Sequence, residues 1–213
     1  MYGVADSLPA EELRAGSYLL AGPAMSGKYA LLLDFVAEGV SQGDGVLYVT
    51  TNESAGPIIE DVTERVGTLP DRLRVVDCVA ERQGTEDRYP PERVEYVSSP
   101  GDLTGIGIGV SEQVRRFEEA GVDRVRICFY SLSTLLMYAE LETVFRFLHV
   151  LAGRVDSIGA VGLFALDPTT HEESTVSTLK QLFDGVIEVR LDDGPQARLV
   201  GVPGGDGEWV PRP

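Results

Sequence analysis

Lysine is almost missing from this chain. Of 18 basic residues only Lys28 and Lys180 are lysines, against 34 acidic residues and a net charge of −16. A duplex-DNA binder draws much of its affinity from Lys and Arg on phosphates, so nucleic acid is not an expected partner. An acidic, lysine-poor surface suits a high-salt cytosol, where screening suppresses self-repulsion. Cysteine is scarce too. Cys78 and Cys128 stand in apolar, strand-like contexts, which reads as buried free thiols and not as a disulfide framework or a metal set. No apolar run approaches the roughly 20 residues that a membrane span needs. The acidic opening "MYGVADSLPAEELRAG" carries no basic-then-apolar export pattern. A cytoplasmic location without membrane attachment is expected. No low-complexity linker or internal repeat divides the chain, so residues 1–213 read as a single domain.

What is present is an alternation of apolar runs with helical patterns, the signature of a parallel sheet with crossover helices. "SYLLAG" (17–22), "GVLYVTT" (45–51), "LRVVDCV" (73–79), "RVRICFYSL" (124–132) and "IGAVGLFAL" (158–166) read as core strands. Helices are predicted after the first strand, stopping near Gly43, and over residues 54–67, with Gly67 as the stop. Further helices are predicted over 111–121, over 133–155 as one long amphipathic element, and from Thr170, where Glu173 gives capping-box spacing. "GVIEVRL" and "ARLVGV", joined around Asp193-Gly194, read as a closing hairpin. Between Ala80 and Gly109 the pattern fails. That stretch is polar and rich in Pro and Gly, and its length suggests a functional, partner-binding segment. Its "GIGIG" has no strong strand before it and no basic residue beside it, so it does not read as a second phosphate loop.

The chemistry concentrates in "GPAMSGKY", residues 22–29. Its template is G-x-x-x-x-G-K-S/T, in which backbone N–H groups wrap phosphates, the lysine reaches the β/γ oxygens and the small hydroxyl holds Mg²⁺. Gly22, Gly27 and Lys28 are in register, with Pro23, Ala24, Met25 and Ser26 between them. Met25 occupies a slot suited to glycine, and Tyr29 stands where the hydroxyl belongs. The fourth strand should end in an aspartate for the metal shell and offers Tyr130 instead. Two departures at one ion point to a lost metal site, with the two tyrosine rings free to meet in its place. "TTNES" leaves Glu53, preceded by Asn52, as the candidate catalytic base; an exposed glutamate at a helix start is the equally simple alternative. His149 reads as packing or a helix-end charge, His171 beside Asp167 as a possible sensor, and Trp209 as a lid on the core edge.

These four stretches, "GPAMSGK", "LYVTTNES", "YSLSTLLMY" followed by "FRFLH", and "ALDPTTHEESTVSTLKQLFDGVIEVR", resemble the RecA/KaiC-like P-loop ATPase superfamily. More narrowly, the chain is similar to a haloarchaeal RecA-like family of unassigned role. The resemblance spans roughly residues 5–210. It implies a three-layer α/β domain, with a mainly parallel twisted sheet, helices on both faces and a C-terminal β-hairpin. It implies residues 22–28 as the nucleotide loop for ATP or another nucleotide. Asn52 and Glu53 fall where KaiC-like proteins carry paired glutamates, and Tyr130 where they carry an aspartate. The Lys-x-Arg pair that such proteins reach into a neighbour's site has no counterpart near Arg198, which leaves a ring-shaped homo-oligomer without its catalytic link.

The expectation is a degenerate nucleotide-binding domain with little or no hydrolysis, without a magnesium site, acting as a regulatory or protein-interaction module. The alternative is an active Mg-dependent ATPase whose metal has moved toward Asp167, Ser131 or Glu53. A DNA recombinase-type ATPase fits the acidic chain least.

Overall fold

The computed structural model describes all residues except 4–7, 9–11, 81–83, 85–88, 193, 203–206 and 213. Two short strands, β1 (Tyr2–Gly3) and β2 (Glu12–Leu13), pair antiparallel near the N-terminus. The main unit then runs β3 (Gly16–Ala21), α1 (Lys28–Ser41), β4 (Gly45–Thr50), α2 (Ala55–Val66), β5 (Leu73–Asp77) and β6 (Val94–Tyr96). It continues through α3 (Leu103–Glu119), β7 (Val125–Tyr130), α4 (Leu132–Tyr138), α5 (Leu141–Ser157) and β8 (Val161–Leu166). A 3-10 turn (Pro168–Thr170), α6 (Glu173–Lys180), β9 (Gly185–Arg190), β10 (Gln196–Val200) and β11 (Val210–Pro211) complete it.

The sheet order is β11-β10-β9-β3-β8-β7-β4-β5-β6. From β9 to β6 every neighbouring pair is parallel, while β10 and β11 add antiparallel edges. The fold is therefore α/β with a mostly parallel central sheet and a C-terminal antiparallel hairpin. Strands buried on both faces need apolar residues at every position, and β3, β4 and β8 are buried throughout. Alternate residues feed opposite cores. Tyr18, Leu20, Tyr48 and Cys128 meet α1 and α2 on one face. Leu19, Leu47, Phe129 and Phe164 meet α3, α4, α5 and α6 on the other. Both cysteines are free and buried, as their apolar settings suggested, and burial pushes both thiols well above their ordinary range. No helix among the described residues is long and apolar enough to cross a membrane.

Three details depart from the sequence reading. The 80–109 stretch is not irregular throughout: it contains β6 and the first two turns of α3. Asp102 caps α3 by accepting from Gly105 N at 2.8 Å, and Ile106 and Val110 are buried, so "GIGIG" is helical despite its glycines. The long helix predicted over 133–155 is two helices, broken where Ala139 and Glu140 take extended angles. The Thr170/Glu173 capping box does not form. Asp167 caps the 3-10 turn instead, and α6 begins after Glu172 without a side-chain cap. The closing hairpin is present as expected, and Gly67 ends α2 with φ 79°. Asp193, in the expected hairpin turn, lies outside the described residues.

At the amino edge of the sheet one charged pair is sealed inside. Arg126 is fully buried on β7, and its Nε donates to Asp44 Oδ2 at 2.7 Å. Its guanidinium also donates to Phe35 O and Gln42 Oε1, and lies 4.8 Å from the Phe35 ring centre. The side chain crosses α1 at Gly39, where an added Cβ would sit 2.6 Å from Arg126 Cδ. Removing one member of a buried pair strands the other without water. Arg126→Leu is expected to lower the unfolding free energy by about 3 kcal/mol. Arg124, 3.2 Å from Asp44, retains part of the compensation. Urea denaturation checks this, and adding Asp44→Leu should recover much of the loss.

Candidate functional site at the carboxyl edge

Chain order and sheet order disagree in the middle of this sheet. β3 leads through α1 to β4, yet β8 and β7 lie between them. Loops therefore diverge above the carboxyl ends of these four strands, where open α/β sheets hold their ligands. A cavity of about 920 Å³ opens there. Its walls are Lys28 and Tyr29 after β3, Glu53 after β4, Tyr130 at the end of β7, and Asp167 and His171 after β8.

The loop from Gly22 to Gly27 is held by its glycines. A Cβ on Gly22 would lie 2.7 Å from Ser26 Oγ and from Val189 O, so no larger residue fits there. Gly27 has φ 86° and precedes α1, whose first turn has no side-chain cap. Uncapped N–H groups at a helix start are positive and suited to an anion. Ala24 and Met25 stand on the cavity rim. Met25 takes φ 58° with its side chain 91% exposed, confirming a slot with left-handed backbone. Ser26 Oγ is buried without a hydrogen-bond partner among the described residues.

Lys28 is folded back. Its ammonium donates to Gly22 O and, at 2.6 Å, to Pro23 O, bracing the loop from inside. Burial holds its pKa below the ordinary lysine value, and the Asp167 carboxylate partly offsets this.

Tyr29 and Tyr130 meet. Their ring centres lie 5.5 Å apart, tilted by 56°, a favourable aromatic geometry. The Tyr29 hydroxyl donates to Asp61 Oδ2 on α2 at 2.7 Å. Burial raises the phenol far above its ordinary pKa, with Asp61 and Glu53 adding to it. Tyr130 is raised too, by burial and then by Glu53 and Asp167. Tyr48 OH is buried below without a partner among the described residues. Glu53 is raised from its ordinary value chiefly by burial, with the Tyr29 phenol opposing and Asp61 adding.

Several other polar groups are occupied by structure. Thr50 Oγ1 donates to Glu53 O at 2.7 Å and turns the chain after β4. Ser131 N donates to Thr51 Oγ1 at 2.8 Å, tying the ends of β4 and β7 together. Thr134 Oγ1 donates to Asn52 Oδ1. Asp167 Oδ1 accepts from Thr169 N and Oγ1. Among the described residues no group of three or more His, Cys, Asp or Glu is placed to hold a metal ion. The residues present do not fit a hydroxyl-bound magnesium, because the phenol at that position is committed to Asp61. They do fit an anion at the start of α1.

His171 lines the cavity with its Nε2 buried and unpartnered among the described residues. His149 lies outside the site, exposed on α5. Trp209 does not lie on the core. Its ring stacks with Arg190 and Arg198, whose guanidinium carbons lie 3.9 and 4.6 Å from the ring centre. Arg198 itself is held by Glu188 at 2.5 Å. Two participants escaped the sequence reading. Asp61 lies on a helix whose periodicity marks only its apolar face. Arg212, 9% exposed after β11, donates to Gly27 O at 3.3 Å and leaves Nε and Nη1 unbonded among the described residues.

Fold and site together define an α/β protein with a glycine-bounded, lysine-braced loop at the carboxyl edge of a parallel sheet. Residues 15–189 match the model of a family of unknown function, DUF7504, and the chain belongs to that family. Among solved structures it is similar to the uncharacterized protein PH0321 from Pyrococcus horikoshii, crystallised in complex with an unknown peptide. That likeness has a TM-score of 0.68 at 15% identity and covers 89% of this chain and 84% of the other, so it speaks to the fold alone. No curated protein matches the chain.

The Glu53 shift has a definite pH consequence. A carboxyl held above its ordinary value binds its proton more tightly folded than unfolded. Its penalty on stability is absent below the unfolded value of 4.5 and grows as pH rises through the folded value. Glu53→Gln should therefore raise the unfolding midpoint at about pH 7, with the gain gone near pH 4. Thermal melts at both values check this, and an unchanged midpoint at neutral pH would show a well-solvated carboxylate.

Proposed function

We propose that the chain is a degenerate RecA/KaiC-like P-loop domain that binds ATP or another nucleotide weakly and acts as a regulatory or protein-interaction module. The observation that carries this reading is the contact between Tyr29 and Tyr130 beside the uncapped start of α1. The phosphate-facing half of the site is intact in kind: the loop over residues 22–27, Lys28 and the free N–H groups of the first turn. The metal-facing half is filled by two rings. Bound magnesium would neutralise charge developing on the transferred phosphoryl group, and its loss costs several kcal/mol of barrier. Lys28 and the backbone dipoles would be left to orient a phosphate, with Lys28 leaving Gly22 O and Pro23 O to do so. Glu53 and Asp167 place two carboxylates on the same cavity, which weakens anion binding further.

An active ATPase with a shifted metal finds less support. Of its three candidate ligands, Asp167 is engaged by Thr169, Ser131 Oγ faces Thr134 at 3.3 Å, and Glu53 is disfavoured as an anion by burial. The interaction role draws support from the similar Pyrococcus horikoshii protein, which was crystallised in complex with an unknown peptide. A protein partner, or a second copy of the chain, is the expected company. The acidic composition further supports a high-salt cytosol as its setting.

A thermal-shift titration with ATP, with and without Mg²⁺, tests the reading. The expected result is a small stabilisation that does not need the metal, and no phosphate release. The double variant Tyr29→Thr with Tyr130→Asp should make the shift metal-dependent. Magnesium-dependent binding with steady phosphate release by the unaltered chain would instead establish an ATPase.

A further inference from the structure

A second concavity lies away from the loop, between α3 and α5, with a volume of about 730 Å³. Its floor is apolar, formed by Leu103, Val110, Phe147 and Leu151. Ile108 and Val150 stand on its rims, 63% and 72% exposed. Exposed apolar patches rimmed by polar residues mark interaction sites.

A missing side chain helps to keep the trough open. Gly107 lines it, and a Cβ there would touch only Phe147 Cε2, at 3.9 Å. Along α3 the lining runs from Leu103 to Arg115, and along α5 from Thr143 to Arg154. At 1.5 Å per residue this is about 18 Å of helix along α3 and about 17 Å along α5. That length suits three turns of a docked helix better than a compact small molecule.

Its lining, unlike the molecule as a whole, carries more arginine than acid. Three arginines and one glutamate line the trough, on a chain of net charge −16. Arg115 is engaged by Glu112 and Glu119. The two on α5 are held loosely: Arg146 lies 4.0 Å from Glu142, and Arg154 lies 3.7 Å from Glu118. Arg154 also keeps a buried Nε without a hydrogen-bond partner among the described residues. These two are eight residues apart, about 12 Å along the helix.

We infer that this groove docks an acidic amphipathic helix of a partner protein. Its apolar stripe would enter over Gly107, and carboxylates about two turns apart would meet Arg146 and Arg154. The inference rests on the interaction-module reading and supplies its surface. A second copy of this chain is the poorer occupant, because a two-fold pairing of this face would set its own lining arginines against one another.

The test uses the full chain and two labelled helical peptides of about 18 residues. Both carry leucines at i, i+3, i+4 and i+7; one is flanked by glutamates, the other by lysines at the same positions. Fluorescence anisotropy at physiological ionic strength should show the glutamate peptide binding more tightly. Gly107→Leu should weaken it at least about tenfold. The unfolding midpoint should hold or rise, since leucine is the better helix former. Arg146→Glu with Arg154→Glu should turn the preference toward the lysine peptide. Equal or tighter binding of the lysine peptide by the unaltered chain, or binding indifferent to Gly107→Leu, overturns the inference. So does a dimer in sedimentation that Gly107→Leu dissolves, which would give the groove to a second copy. The ATP-induced thermal shift is read on the same samples. Its absence with peptide binding intact counts against the nucleotide reading alone, and the converse counts against the groove alone.

Discussion

Helices cover both faces of the parallel strands, so only the strand ends and the outer helix surfaces can meet other molecules. That constraint organises everything else in the protein. At the amino edge the ends are closed by charge: Arg126 and Asp44 are sealed together under Phe35. At the carboxyl edge they stay open, and the loops after β3, β4, β7 and β8 bring their polar residues to one cavity. Within it the first turn of α1 and the end of β7 are joined through Tyr29 and Tyr130. The same contact places two aromatic rings on the wall of that cavity. A ring pair is apolar, bulky and fixed, whereas a hydroxyl and a carboxylate would be polar and open to an ion.

The lysine of the loop belongs to the same logic. An ammonium buried beside backbone carbonyls satisfies itself by bonding them, and Lys28 does so with Gly22 and Pro23. The loop is thereby held in a fixed shape with no ligand required to order it. A phosphate entering the cavity would have to compete with these two carbonyls for the lysine, and with Glu53 and Asp167 for the local field. Tyr48 below and Ser26 within the loop keep hydroxyls buried without partners among the described residues. Unsatisfied buried hydroxyls are expensive to maintain, and Ser17 at the start of β3 carries another away from the loop.

Much of this was legible in the residues, for reasons that can be named. The buried parallel strands read as near-continuous apolar runs because both faces need filling, and the central ones fell where those runs stood. The loop was legible because its two glycines and lysine sit between such a strand and a helix. The tyrosine contact was foreseeable because both tyrosines fall where the P-loop resemblance implies ligands of a single ion. The start of α3 was not legible. Gly105, Gly107 and Gly109 argue against a helix locally, and only the Asp102 cap with buried Ile106 and Val110 overrides them. The false capping box had a similar origin, since Asp167 lies upstream and captures the turn before Thr170 can act. Asp61 and Arg212 carry no local signal at all, because their importance arises from contacts 32 and 185 residues away.

The clasp of Trp209 between Arg190 and Arg198 has an optical consequence. The chain contains a single tryptophan, and it sits immediately before the last strand. Two residues beyond that strand's first, Arg212 reaches the carbonyl of Gly27. Indole emission from this molecule therefore originates at one spot, the seat of the final strand. Its colour and intensity report on the packing of the indole against the two guanidinium groups.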